Sequence, residues 1–112
     1  MKKVEAIIRP EKLEDVVDGL SKAGFNSLTF YDVKGRGKQG GLVELFRGKA
    51  YKIEFIEKVK IEIAVSDSDV EKVIQIITDK AFTGNIGDGK IFVSDIVEVV
   101  RIRTKERGDK AL

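Results

Sequence analysis

The feature that most constrains this chain is that it says nearly the same thing twice. Val4, Ala6 and Ile8 alternate with Lys3 and Glu5, and Ile61, Ile63 and Val65 alternate with Lys60 and Glu62 at an offset of 57 residues. A period of two marks a strand with one buried face. Four apolar residues at i, i+3, i+4 and i+7 follow each strand, Leu13, Val16, Val17 and Leu20 in the first copy and Val70, Val73, Ile74 and Ile77 in the second. That spacing makes one stripe along a helix. Pro10 opens the first helix and Gly24 is placed to end it, while Ser68 with Glu71 predicts a capping box for the second. A strand through Phe25 to Val33 follows the first helix, and one from Ile91 to about Val100 follows the second.

Two such units in succession read as βαββαβ, an α+β ferredoxin-like split sandwich: an antiparallel sheet with both helices on one face. At 112 residues the chain is sized for a single domain, 1–112. Two helices cover one sheet face only. Ile7, Tyr31 and Ala64 occupy the alternate positions on the other face, so an oligomer is expected. Fold alone does not choose an activity.

Composition removes several activities. With no cysteine and no histidine the chain has no disulfide framework, no thiolate nucleophile, no cysteine metal site and no imidazole base. No apolar run approaches the roughly 20 residues that span a bilayer. The opening Met1-Lys2-Lys3-Val4-Glu5 is too polar for a signal peptide, and a cytoplasmic location is expected. Net charge is only +2, yet residues 35–60 hold seven Lys/Arg against three Glu. Such a patch serves nucleic acid, anionic small molecules or a membrane face, or is simply a solvated loop.

Three segments could carry chemistry. Thr83-Gly84-Asn85-Ile86-Gly87-Asp88-Gly89-Lys90 superficially fits a Walker A loop, but Ile91 stands where Ser or Thr would hold magnesium, and the segment runs from helix to strand rather than the reverse. Its glycines still allow backbone N–H groups to converge on an anion beside Lys90; the alternative is an ordinary Asp-Gly turn. Arg101 and Arg103, two apart on an expected strand, would present two guanidinium forks on one face, suited to a di- or triphosphate or merely to solvent. Gly35-Arg36-Gly37-Lys38-Gln39-Gly40-Gly41 leaves the backbone open to close approach. The segment from Gly35 to Glu54 has no clean period and reads as a long loop between strands 2 and 3, flexible over about 37–55, with Glu44, Arg47, Lys49 and Tyr51 toward its tip. Extended, its two arms would project about 30 Å.

Together these segments resemble the PII signalling proteins of the GlnB/GlnK group, over essentially the whole chain. The resemblance rests on Lys2 to Pro10, on Val33-Lys34-Gly35-x-Gly37, on Lys58 to Glu62, on Thr83-Gly84-x-x-Gly87-Asp88-Gly89-Lys90-Ile91-Phe92-Val93, and on Arg101-x-Arg103-Thr104-x-Glu106-Arg107-Gly108. It implies a homotrimer with inward-facing sheets and a nucleotide, ATP or ADP, in each cleft between subunits. By similarity Thr29 and the backbone around Ala64 meet the adenine, Gly37, Lys38 and Gln39 close over the phosphates, Gly87, Asp88, Gly89 and Lys90 cradle them, and Arg101 and Arg103 reach in from the neighbouring chain. Magnesium held by Gln39 and the phosphates would create a site for 2-oxoglutarate, involving Gly37, Gln39, Gly41, Lys58 and Gly87. The long loop (the T-loop of the family) would then change shape and be read by a partner, most readily an ammonium transporter, otherwise an enzyme of nitrogen metabolism.

The resemblance thus implies a non-enzymatic sensor that binds no nucleic acid and meets membranes only through a transporter. Tyr51 matches a position modified in some members, while Lys49 replaces a serine phosphorylated in others. Lys38 and Gly40 stand where many members carry arginine and lysine. Two other readings stay open: a small ATPase or phosphotransferase with Asp88 as its base, hydrolysis by a sensor being no more than a slow side reaction, and an RNA-binding module of the same element order, although Val59 to Val65 lacks stacking aromatics.

Overall fold

The computed structural model describes residues 1–36, 42–46, 49–53 and 55–112, the second and third of these as strand backbones only. In chain order the elements are β1 (Lys2–Ile8), α1 (Leu13–Lys22), β2 (Thr29–Gly35), β3 (Leu42–Phe46), β4 (Lys49–Ile53), β5 (Ile56–Val65), α2 (Val70–Ala81) and β6 (Lys90–Asp95). Four strands form one sheet in the order β2-β5-β1-β6, with every neighbouring pair antiparallel. This is the expected ferredoxin-like α+β arrangement. The repeat holds in register as well: Val4 pairs with Ile63 and Ala6 with Ile61, so the two copies of the period-two pattern face the same side.

That side carries the core. Val4, Ala6, Ile8, Val59, Ile61, Ile63 and Val65 from the sheet pack against Val16 and Leu20 of α1 and Val73, Ile77 and Ala81 of α2. Every buried residue among those described is apolar. Burying an aliphatic side chain of this size contributes about 1.5–3 kcal/mol, so the stripe and the alternation select this packing over a slipped register. The helices meet at Gly19, where a Cβ would lie 3.1 Å from Cγ2 of Ile76 and from Cγ of Lys80.

Local signals were right in kind and wrong in some ends. Gly24 closes α1 at φ +93°, where a side chain is strained; its N–H donates to Ser21 O and the Phe25 N–H to Leu20 O. Those bonds wrap Phe25 into the helix terminus, and β2 therefore begins at Thr29 rather than at Phe25. The capping box at Ser68 is absent. Ser68 sits inside a 3-10 turn, Asp67–Asp69, and α2 starts from Asp69 in a helical conformation with no side-chain cap. A cap residue needs extended backbone, which Ser68 does not have. The first copy does the same at Pro10–Lys12.

The long connection between β2 and β5, read as a loop with no clean period, carries a strand pair of its own, β3 running antiparallel to β4 from Leu42 opposite Ile53 to Phe46 opposite Lys49. A two-stranded ladder is satisfied by backbone groups alone and imposes no alternation, while Val43, Phe46, Tyr51 and Ile53 all favour strands. The last strand ends at Asp95, not near Val100. Its partner β1 begins at Lys2, opposite Asp95, and the final bond is Ile96 N–H to Met1 O at 3.1 Å, so no ladder remains to extend it. The chain instead turns back on itself, with Val100 bridged to Arg107. No helix among the described residues is long and apolar enough to cross a membrane.

The sheet face away from the helices is not plainly apolar. Ile7, Lys60 and Tyr31 align across β1, β5 and β2. Around them Lys3 contacts Glu5 at 2.6 Å, Lys60 contacts Glu5 at 3.4 Å, and the Tyr31 hydroxyl donates to Glu62 at 2.9 Å. The bond from Lys3 holds the Glu5 carboxyl below its ordinary pKa. Tyr31 is 42% exposed in the single chain.

Candidate functional site

The turn between α2 and β6 is organised by one carboxylate. Asp88 accepts the Thr83 N–H and the Gly84 N–H, each at 2.9 Å, the Thr83 hydroxyl, and Nε of Arg9 at 3.2 Å. The Thr83 hydroxyl and N–H, then Gly84 and Arg9, hold the Asp88 carboxyl far below the usual carboxylate range. Asn85 N–H closes the start of the turn onto the Thr83 hydroxyl oxygen at 3.1 Å. Gly89, at φ +109°, is required for a different reason: a Cβ there would lie 1.7 Å from the carbonyl oxygen of Ile7. The turn is thus pressed against β1 at the point where β6 begins.

Two cations aim at its middle. Arg9, just past the end of β1, donates from Nη2 to Ile86 O at 2.8 Å, and Lys58, on β5, donates to Gly87 O. A Cβ on Gly87 would meet Arg9 Nη2 at 3.2 Å and Lys58 Nζ at 3.6 Å. Partial burial, followed by the Arg9 charge, pushes the Lys58 pKa down. Two cations thus crowd Gly87, and a carboxylate or phosphate oxygen that reached them would find charged N–H donors and relieve their repulsion. The residues present fit an anion.

The expected site residues fall into separate groups. Lys58, Gly87, Asp88, Gly89 and Lys90 come together, Lys90 opening β6 opposite Ile7. Thr29 opens β2, the far edge of the sheet, opposite Glu62. Thr29 and Ala64 line a second, open depression of about 380 Å³ with Lys3 and Glu62. Lys58 and Ala64 are six residues apart on β5, which is about 20 Å. Arg101 and Arg103 form a third group and are not on a strand. The turn from Arg101 to Glu106 gives them no common face, and this corrects the expectation of two parallel forks. Arg101 pairs with Glu106 at 3.0 Å, while Arg103 is exposed and makes no hydrogen bond or ion pair among the described residues.

Gly37, Lys38, Gln39, Gly41 and Arg47 lie outside the described residues, and with Gln39 the expected magnesium ligand. Glu44, Lys49 and Tyr51 lie on β3 and β4, where Glu44 stands opposite Tyr51 in the backbone register. Among the described residues no three acidic side chains gather as a metal site.

Arg9 is the site residue that sequence reasoning missed as such. One signal could have found it. At the repeat offset of 57 its counterpart is Ser66, so the fold that both copies share does not need an arginine there.

A family profile described as Nitrogen regulatory protein P-II matches residues 1–106. Nitrogen regulatory protein P-II 2 of Methanothermobacter thermautotrophicus is 54% identical over 112 residues, covering 100% of this chain and 97% of the relative. Nitrogen regulatory protein P-II of Azospirillum brasilense is 51% identical and nitrogen regulatory protein GlnK of Escherichia coli K12 is 50% identical, each covering 100% of both chains. A match of this length and identity, on a chain with this sheet order and this turn, shows that the chain belongs to the nitrogen regulatory protein P-II family.

Proposed function

We propose that this chain is a non-enzymatic cytoplasmic sensor that binds ATP or ADP and, with Mg2+, 2-oxoglutarate, and that regulates a partner through the segment that includes β3 and β4. The observation that carries the reading is the Arg9 and Lys58 pair converging on Gly87 in a turn built by glycines and one locked carboxylate. Lys58 and Arg9 would take a carboxylate of the acid, and Lys90 with the N–H groups near Gly87 and Gly89 would face phosphates. Magnesium, when bound, would supply charge that joins the phosphates to the acid, with Gln39 its protein ligand. The separation of Thr29 and Ala64 from Gly87 to Lys90 favours sites completed by a neighbouring copy, as in a homotrimer whose sheets face inward. The relatives named as nitrogen regulators support a regulatory role, and an ammonium transporter is the partner proposed first.

Asp88 argues against the ATPase reading. It accepts four hydrogen bonds and its proton affinity is depressed, so it is a poor general base. The test is calorimetric titration of 2-oxoglutarate with Mg-ATP, with Mg-ADP and without nucleotide, for the wild type and Gln39→Ala. Binding that needs Mg-ATP and disappears in the variant is expected. A wild type that binds no adenine nucleotide would overturn the reading.

A further inference from the structure

We infer that Glu106 is a positioning residue for Arg101, holding its guanidinium ready for a nucleotide phosphate; this rests on the nucleotide reading above. The segment beyond β6 closes between Val100 and Arg107, and the turn inside it is unusually determined. Arg101 N–H donates to Glu106 O at 2.9 Å and Lys105 N–H donates to Arg101 O at 2.8 Å. Lys105 is the one non-glycine residue with positive φ among those described, at +63°. A lysine adopts that conformation only where its surroundings impose it, and such positions gather at ligand-handling segments. The turn brings its two ends face to face, and their side chains pair: Arg101 Nη1 donates to Glu106 Oε1 at 3.0 Å. Nη2 of the same fork donates to Leu112 O at 3.2 Å.

Stability does not account for this pairing. The two side chains are 39% and 41% exposed, and ion pairs in that setting are largely offset by solvent and side-chain entropy. What the contacts do is restrict a long, rotamer-rich side chain. Arginine carries five N–H donors, of which two are engaged here, leaving three for an anion. A guanidinium already held loses less freedom when phosphate arrives. Arg103, without such a partner, has no equivalent restraint.

The opposite possibility is that Glu106 competes with phosphate for Arg101, and the two make opposite predictions. If Glu106 positions, Glu106→Ala weakens Mg-ATP binding by about three- to tenfold. Glu106→Gln keeps an acceptor oxygen without the repelling charge and restores binding to the wild-type level or better. If it competes, Glu106→Ala tightens binding.

The experiment is calorimetric titration of Mg-ATP into the full-length wild type, Glu106→Ala, Glu106→Gln, Arg101→Ala and the Arg101→Ala/Glu106→Ala double variant, with melting curves for each. The expected result is loss in Glu106→Ala, rescue in Glu106→Gln, and no further loss on adding Glu106→Ala to Arg101→Ala. A loss that persists in the Arg101→Ala background marks a general structural effect and overturns the inference. So does Glu106→Ala binding that equals or exceeds wild type while Arg101→Ala is impaired, which leaves the nucleotide reading standing. Unchanged binding in Arg101→Ala removes Arg101 from the nucleotide site and the inference with it.

Discussion

Gly89→Ala should be among the most damaging single-methyl additions available in this chain. The new Cβ would lie 1.7 Å from the Ile7 carbonyl oxygen, where ordinary contact begins at 3.4 Å, so the turn and β1 must separate by about 1.7 Å. Backbone at φ +109° adds strain of about 1–2 kcal/mol for any residue with a Cβ. Separation also pulls apart the end of the β1–β6 ladder, where Ile7 faces Lys90; two lost ladder bonds at about 1 kcal/mol each bring the total to roughly 3–4 kcal/mol. Gly24→Ala provides the control. It shares a positive φ, +93°, but a Cβ there meets nothing within 4 Å, so only the strain of about 1–2 kcal/mol applies. Urea unfolding followed by far-ultraviolet circular dichroism, at equal protomer concentrations, compares the two directly. A Gly89→Ala protein that fails to fold agrees with the reasoning. One that unfolds within about 1 kcal/mol of Gly24→Ala refutes it, because close approach to Ile7 would then cost nothing.

Two further outcomes are expected. Because the Asp88 pKa is depressed on folding, its contribution to stability is present above the ordinary carboxylate pKa of about 3.9 and is lost as pH falls through the lower folded value. The stability difference between wild type and Asp88→Asn should therefore be flat from pH 7 to about 5 and shrink only below that; carboxyl NMR titration of Asp88 with an ordinary midpoint would contradict this. At the helix contact, Gly19→Ala needs its neighbours to give by only a few tenths of an ångström and should be nearly neutral, whereas Gly19→Leu overpacks Ile76 and Lys80 and should lower stability by about 1–3 kcal/mol in the same unfolding assay.

What could be read from the sequence was whatever burial writes into it. Val4, Ala6 and Ile8 and their counterparts Ile61, Ile63 and Val65 announce their face because one side packs on helices. Boundaries depend instead on partners distant in the chain: β6 stops because β1 begins at Lys2, a fact absent from the residues after Asp95. Ser68 met the pattern of a cap but not its backbone condition. At the candidate site, glycines made Gly87 to Lys90 conspicuous, since positive φ leaves few alternatives. Arg9 left only a faint trace, a serine at its counterpart Ser66 in the second copy, and its role emerges from the approach of Ile86 and Asp88 across 77 and 79 residues. The Arg101 to Glu106 turn was hidden by its extended-looking composition, Val99-Val100-Arg101-Ile102, which a strand would share.

The sheet order β2-β5-β1-β6 also has a consequence for how the chain acquires its structure. Each adjacent pair joins a strand of the first copy to a strand of the second, so neither copy contains a single strand pair of its own in this sheet. While the chain is being synthesised, β1 and β2 have nothing to ladder with until β5 exists, and β1 stays open along one edge until β6 arrives. The contacts that close the sheet are therefore long in sequence separation, which makes this small domain slower to fold than a helical bundle of its size. Its two halves are one cooperative unit, and a break between them removes the sheet rather than half of it.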